Sequence, residues 1–370
     1  MTRAVVVYLA GVSWDGVQGT DRQLATALAR ELPVIWVDPP TPWRPAHARR
    51  GSAWDRLDDV APGVRRLATL APPFVSRPGV RSLSWALVHR RLREATRGAQ
   101  VRAVILANPE SGFPEAVPGH KLYYVTDDWP AGAALMGLSR RRILHLQARN
   151  AKAADHVASV SSELATQLST AYGIPDVLVL PNGCSPDQFS AKHSRVDLGL
   201  AEPVAGLLGQ LNERLDLEAL DAVVDRGISL AVVGPRTERE PSTTRRLDAL
   251  LSRSNVRWLG PQPAAVLPAY LASMTVGLTP YADTAFNRAS FPLKTLEYLA
   301  AGLPVVSTDL PSVRWLETEL IDVVAAPGTF GEAVRTRLLN PGTEGDRAFR
   351  RTFARAHSWE ARARQLLETV

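Results

Sequence analysis

The stretch Ser290-Phe-Pro-Leu-Lys-Thr-Leu-Glu-Tyr-Leu-Ala-Ala-Gly-Leu-Pro-Val-Val-Ser-Thr308 decides the fold. It reads as one short helix with a charged edge, followed at once by a buried strand. Ser290 can cap the helix, and Pro292 suits its first turn, where no backbone N–H is needed. Gly302 can take the left-handed conformation that ends a helix, and Pro304 forbids continuation. Val305 and Val306 then open a strand with no polar alternation, as in a sheet covered on both faces. At about 100° per residue, Leu293, Leu296, Leu299 and Ala300 share an apolar face. Glu297 falls on its edge, with Lys294 beside it. The two are either an ordinary surface pair at i, i+3, or a means of holding an anionic, hydroxyl-rich ligand where a strand–loop–helix unit presents its N-terminus.

The same strand-then-helix alternation runs outward along the chain, the pattern of an α/β protein with parallel sheets. The first half predicts strands at 4–9, 34–37, 101–107, 122–126, 157–160 and 177–180, with helices at 21–31, 83–96 and 140–154. The second half restarts with strands at 204–208, 230–233, 256–259, 275–279 and 304–307. Its helices fall at 215–226, 243–252 and 264–272, besides the one carrying Glu297. Two doubly wound, Rossmann-like domains follow, 1–183 and 204–355, joined by the polar segment 184–203 and closed by 356–370. Such domains offer a cleft between the carboxyl ends of their strands.

Composition narrows the function classes. A chain of 370 residues is comfortable for two domains, and 45% apolar with 22% charged residues is ordinary for a globular protein. Cys184 is the only cysteine, so an internal disulfide and a Cys-based zinc site are excluded, and a reducing cytoplasm is the expected compartment. No run reaches the roughly 18 apolar residues that span a bilayer. Residues 5–12 lack a following small-residue cleavage site and read as a first strand. Residues 1–185 hold 22 Lys and Arg against 15 Asp and Glu, whereas 186–370 hold 21 against 22. The basic half either faces something anionic or has a solvated Arg surface. Its run Arg81-Ser-Leu-Ser-Trp-Ala-Leu-Val-His-Arg-Arg-Leu-Arg93 forms an amphipathic helix, and Ser139-Arg-Arg-Arg starts a second basic one. Peripheral contact with an anionic membrane, at its inner face, is the alternative to a solvated face. Nucleic acid is not expected, because the bases are not interleaved with aromatics or set in a known fold signature.

The quoted stretch resembles the donor-binding element of GT-B glycosyltransferases of family 4. That element ends in Phe-Gly-Leu-x-x-Leu-Glu followed by Ala-x-Gly-x-Pro-Val-Val. Here it reads Phe291-Pro-Leu-Lys-Thr-Leu-Glu297, then Ala301-Gly-Leu-Pro-Val-Val306. The variant Pro-Leu-Lys-x-x-Glu-Tyr is similar to a subgroup related to teichuronic-acid glycosyltransferases. Ala154-Asp-His-Val followed by Ser, Leu180-Pro-Asn-Gly183 with Phe189, and His357-Ser-Trp-Glu-Ala-Arg-Ala also match in order and spacing. The resemblance implies a GT-B fold, two facing Rossmann-like domains, and a final helix that packs back on the first domain. It implies that Glu297 holds the ribose of a nucleotide-sugar, UDP- or GDP-linked, which is a co-substrate; no cofactor and no metal are expected. The implied reaction moves the sugar to a hydroxyl acceptor, lipid-linked in one reading, with retention at the anomeric carbon. Two departures stand out: the family's first Glu is Ala289 here, and the Arg it places after Gly209 is Gln210.

The remaining site residues follow from position. In the family, the Gly11–Thr20 loop lies against donor phosphates and acceptor, so Gly16, Gln18 and Gly19 are cleft candidates; the plainer reading is a turn with Thr20 or Asp21 as helix cap. It is neither a dinucleotide fingerprint nor a P-loop. Asp127 and Asp128 end a strand, and adjacent acids cannot point the same way on an extended chain. Asp127 is the choice for an acceptor hydroxyl, with helix capping by either acid as the alternative. No second carboxylate pairs with them as in a glycoside hydrolase. Arg214 and Lys294 are the candidates for the diphosphate, and Arg214 is otherwise a surface base. Ser290, Phe291, Pro292 and Leu293 line the donor element. Gly209 and Gly234-Pro-Arg236 match places where the nucleotide nears the backbone, and Trp258 either meets the base or belongs to the core. Two other readings stay open: a sugar-nucleotide epimerase of the same fold, and an inactive auxiliary protein.

Overall fold

A computed structural model describes residues 4–16, 19–43, 57–190 and 193–370. Its strands begin with β1 (Val5–Leu9), β2 (Val34–Val37), β3 (Thr41–Pro42), β4 (Leu57–Ala61), β5 (Val64–Leu67) and β6 (Leu70–Ala71). β7 (Val101–Leu106), β8 (His120–Val125), β9 (His156–Ser159) and β10 (Val177–Val179) follow. The last six are β11 (Val204–Leu208), β12 (Ser229–Val233), β13 (Val256–Trp258), β14 (Val276–Thr279), β15 (Val305–Thr308) and β16 (Ile321–Val324). The chain divides into a first unit, 1–160 with 164–181 and 359–370, and a second, 161–163 with 182–358.

The first unit is built on an eight-stranded sheet in the order β10-β9-β8-β7-β1-β2-β5-β4. Every neighbouring pair is parallel except β4 with β5. β1 is apolar along its length and Val6 to Leu9 are buried, because helices cover both faces of a parallel sheet. The helix Thr20–Glu31 packs on the closing helix Trp359–Thr369. The hairpin of β4 and β5 has no apolar run; opposite charges face each other instead, Asp58 opposite Arg66 and Asp59 opposite Arg65. Strand order reverses between β1 and β7.

The second unit holds six parallel strands in the order β13-β12-β11-β14-β15-β16. Its order reverses between β11 and β14, the point where a doubly wound sheet takes a ligand beyond the carboxyl ends of its strands. The helix of the quoted stretch spans Leu293–Ala300 and differs from the single apolar face expected. Thr295 through Ala300 are all buried, since the helix is packed by Glu344–Ala356 as well as by the sheet. Tyr298 fits because Gly277 has no side chain: a Cβ there would lie 2.3 Å from the Tyr298 ring. The helix also starts later than expected. Its N-cap is Pro292, and Ser290 instead closes the preceding helix Ala285–Ala289, donating from Oγ to Phe286 O at 2.8 Å. Among the described residues, no helix is long and apolar enough to cross a membrane.

Candidate functional site

Beyond β11 and β12 the backbone itself shapes the crevice. Gly209 (φ 145°) donates from its N–H to Val233 O at 3.0 Å. Gly234 (φ 149°) is closer still, since a Cβ there would sit 1.8 Å from Gly209 O, so no other residue fits. Trp258, from the end of β13, donates its indole N–H to Gly234 O at 3.0 Å. It is 40% exposed, so the core reading of this Trp is overturned. Arg236 stands 6.0 Å from the Trp258 ring and is held by Glu238 at 2.5 Å and Asp248 at 2.6 Å.

Arg214 is a built-in cation. Its Nε donates to Asn287 Oδ1 at 2.9 Å, while Asn287 Nδ2 donates to Arg214 O at 2.9 Å and to Ala282 O at 2.8 Å. The guanidinium carbon lies 5.3 Å from the Tyr281 ring and 4.9 Å from the Phe286 ring, within cation–π range. Thr284 Oγ1 accepts from the Asn287 N–H at 3.2 Å and so caps the short helix that carries Asn287. Arg214 is therefore a half-buried base with a fixed guanidinium.

Glu297 and Lys294 form an ion pair at 2.6 Å, with only 8% and 23% of their side chains exposed. Both readings of the pair meet here, because it is an i, i+3 contact yet it is not a solvated one. The segment leading into this helix is pinned from two sides. Asn182, of Pro-Asn-Gly, donates to Phe291 O at 2.8 Å, and Ser161 Oγ donates to Ala289 O at 2.5 Å. Phe291 meets Trp315 edge-on at 5.8 Å. No side chain caps the helix at Pro292, which leaves its first-turn N–H groups with the positive end of the dipole. Ala289 is fully buried.

In the first unit the loop after β1 is anchored by two buried acids. Asp21 accepts from Tyr8 OH at 3.0 Å and from the Gly11 N–H at 2.9 Å. Burial pushes its carboxyl up to about 6; the Gly11 and Tyr8 bonds oppose the rise and Asp127 adds to it. Neither Thr20 nor Asp21 caps the helix as expected: the N-cap is Gly19, because Asp21 is turned inward to the strand. Asp38, at the end of β2, accepts from Trp14 N at 2.9 Å, Trp36 Nε1 at 2.7 Å and Arg66 Nε at 2.7 Å. Arg66 also reaches Asp15 at 2.8 Å and Ser13 at 3.0 Å, so Gly11 to Gly16 is tied to the missed strand β5. Of the two acids after β8, Asp128 takes the turn-capping role, accepting from Ala131 N at 3.0 Å. Asp127 is half-buried. Gln18 lies outside the described residues.

Residues 202–340 match the family model described as Glycosyl transferases group 1. The chain is 28% identical over 263 residues to TuaH of Bacillus subtilis, assigned as a teichuronic acid biosynthesis glycosyltransferase; the match covers 67% of this chain and 66% of that protein. Its fold is that of sucrose-phosphate synthase from Thermosynechococcus elongatus (TM-score 0.74, 17% identity, 99% of this chain and 98% of the other). It is equally that of Anabaena HepE in complex with UDP and glucose (TM-score 0.71, 13% identity, 100% and 99%). WaaG, a glycosyltransferase involved in lipopolysaccharide biosynthesis, also matches (TM-score 0.65, 18% identity, 99% of each chain). The fold is GT-B.

Within this GT-B chain, the donor-type residues Gly209, Gly234, Arg214, Lys294 and Glu297 all belong to the second unit, on loops or helix starts that follow its strands. Asn287 was not anticipated. Its only sequence signal is a Thr three residues earlier, and its partner Arg214 lies 73 positions away. The Asp38–Arg66 anchor was missed for the same reason, its members being 28 positions apart.

Proposed function

We propose that the protein transfers a sugar from a UDP- or GDP-sugar to a hydroxyl acceptor, with retention at the anomeric carbon. The observation that carries this reading is the largely buried Glu297–Lys294 pair at the start of an uncapped helix, in the same unit as an Arg214 fixed by Asn287. In this reading the Glu297 carboxylate accepts from the ribose hydroxyls, exchanging its bond to Lys294 for bonds to the ligand. Lys294, Arg214 and the first-turn N–H groups of the helix then meet the diphosphate. Gly209 and Gly234 let the nucleotide approach the backbone, and the exposed Trp258 with Arg236 receives the base. Ser290 to Leu293 form the floor that the Asn182 bond holds in place.

Retention needs no protein base if the leaving phosphate accepts the acceptor's proton on the same face of the sugar. The protein's part is then preorganised positive charge at the diphosphate, where negative charge develops. Gly16, Gly19 and Asp127 of the first unit serve the acceptor, with Asp127 accepting from its hydroxyl. Structures of HepE with UDP and with UDP-glucose support a UDP-linked donor. The match to TuaH, named for teichuronic acid biosynthesis, supports a glycan acceptor of that kind; a lipid-linked form is the variant tested below. The Arg-rich helix Pro78–Ala95 is proposed to lie against an anionic membrane at its inner face, with Leu83 exposed beside its bases.

The test is a panel of nucleotide-sugars incubated with the protein, with and without a lipid-linked glycan acceptor. Release of nucleoside diphosphate that depends on acceptor supports transfer. Conversion of the donor's sugar without acceptor makes the protein an epimerase. No turnover with any donor, as Ala289 and Gln210 would favour, makes it an auxiliary protein.

A further inference from the structure

The first unit contains a cavity of about 730 Å³ that none of the proposed donor or acceptor residues lines. Lys121 stands at the amino end of β8, so the cavity opens at the edge of the sheet opposite the carboxyl ends. Arg90 and Arg93 reach it from the helix Pro78–Ala95, and Arg149 from the helix Arg140–Ala153. His89 completes the basic wall, and Glu115 is the one carboxylate among the lining residues. Arg90 is occupied by Glu94 at 3.2 Å. The side chains of Arg93, Lys121 and Arg149 have no ion pair among the described residues.

The pocket is shaped to keep this charge in place. Gly112 makes room for the Arg149 guanidinium, since a Cβ there would lie 2.1 Å from Nη2. The loop bearing Gly112 is fixed by Asn150, which donates to Ser111 O at 2.8 Å, and Ser111 Oγ lies 3.3 Å from His89 Nε2. Arg93 and Arg149 are exposed and Lys121 is half-buried, so the three unpaired cations are hydrated and open to an incoming anion, with one carboxylate beside them. Two guanidinium forks and one ammonium suit tetrahedral phosphate oxygens.

We propose that this cavity binds a phosphate-bearing ligand, either free phosphate or diphosphate or the phosphate of a lipid headgroup. The site is independent of the donor site, and its lipid-headgroup form rests on the proposed membrane contact of the helix Pro78–Ala95. The His89 imidazole reports on it. Burial holds it below its ordinary value, Arg149 adds to that, and Glu115 opposes. The charged groups facing it from the packed elements are Arg149, Glu115, Arg90, Arg93 and Lys121. A bound dianion screens Arg149 and raises the imidazole.

The experiment is an NMR titration of the His89 side chain in the full chain, assigned with His89→Gln, against sodium pyrophosphate at constant ionic strength. An upward shift of the imidazole titration is expected, saturable and absent with chloride. The double variant R93E/R149E should lose that response while keeping the wild-type unfolding midpoint. Flotation with phosphatidylglycerol vesicles, but not phosphatidylcholine, and its loss in the double variant identify the ligand as a headgroup. A pyrophosphate response without flotation identifies free phosphate or diphosphate. No response to either probe, a chloride response of equal size, or an unaltered response in R93E/R149E overturns the proposal.

Discussion

Replacing Asn287 by Ala removes three hydrogen bonds at once: one accepted from Arg214 Nε and two donated, to Arg214 O and Ala282 O. At roughly 0.5–1.5 kcal/mol net for each bond, the loss in stability is about 2–4 kcal/mol. The upper part of that range is expected, because Asn287 is 1% exposed and water cannot take its place without entering the fold. The consequence for binding is separate. Arg214 loses the contact that holds its guanidinium between Tyr281 and Phe286. A hydrogen bond to a charged group is worth roughly 1.5–3 kcal/mol, so nucleoside diphosphate affinity should fall about 10- to 100-fold. Urea unfolding reads the first effect, and calorimetric titration with UDP or GDP, at a temperature where the variant is folded, reads the second. Asn287→Asp, which keeps the acceptor for Arg214 Nε but not the two donations, should recover affinity more than stability. If Asn287→Ala unfolds at the wild-type urea concentration and binds nucleotide unchanged, neither the anchor nor the role of Arg214 stands.

Three further outcomes follow from the geometry. Gly234→Ala places a Cβ 1.8 Å from Gly209 O, so the ends of β11 and β12 must part; nucleotide binding should be lost and the melting temperature lowered, and a variant titrating like wild type contradicts this. Trp258→Ala, at a side chain 40% exposed, should weaken base discrimination among UDP, GDP and ADP with little change in melting temperature; a large loss of stability would return Trp258 to a structural role. Asp21 makes folding pH-dependent in a defined direction. Its folded-state carboxyl stands at about 6 against 3.8 ordinarily, so the folded chain holds the extra proton between those values. Stability is therefore greatest at the acid end and falls by about 3 kcal/mol as pH rises through 6. Asp21→Asn should remove that part of the slope in urea midpoints measured from pH 4 to 7, and an unchanged slope would assign it elsewhere.

What could be read from the sequence was governed by locality. Val5–Leu9 and Val204–Leu208 announce themselves as apolar runs, since a parallel strand is covered on both faces. Pro292, Gly302 and Pro304 bracket the helix that carries Glu297, although its start is displaced from Ser290 to Pro292. The displacement arises because the Ser290 hydroxyl bonds backward to Phe286 O, a choice between two adjacent helix ends that no local preference makes. β4 and β5 were invisible because Leu57-Asp-Asp-Val-Ala61 and Val64-Arg-Arg-Leu67 each hold two adjacent charges and no apolar run, which resembles a solvated loop. Ile321–Val324 was passed over as a four-residue strand containing Asp322. The site divides in the same way. Glu297 and Lys294 stand one helical turn apart and were legible together, whereas Arg214 with Asn287 and Asp38 with Arg66 join residues that only the fold brings together.

The measurement that bears most directly on the donor site is a thermal-shift panel of UDP, GDP, dTDP and ADP against wild type and Glu297→Ala. A nucleotide at about 100 times its dissociation constant stabilises the unit that binds it by roughly 2.7 kcal/mol. The account predicts that one of the four raises the wild-type midpoint and that Glu297→Ala, folded but lacking the carboxylate, does not respond. A response retained in full by Glu297→Ala, or no response from any nucleotide in the wild type, contradicts it.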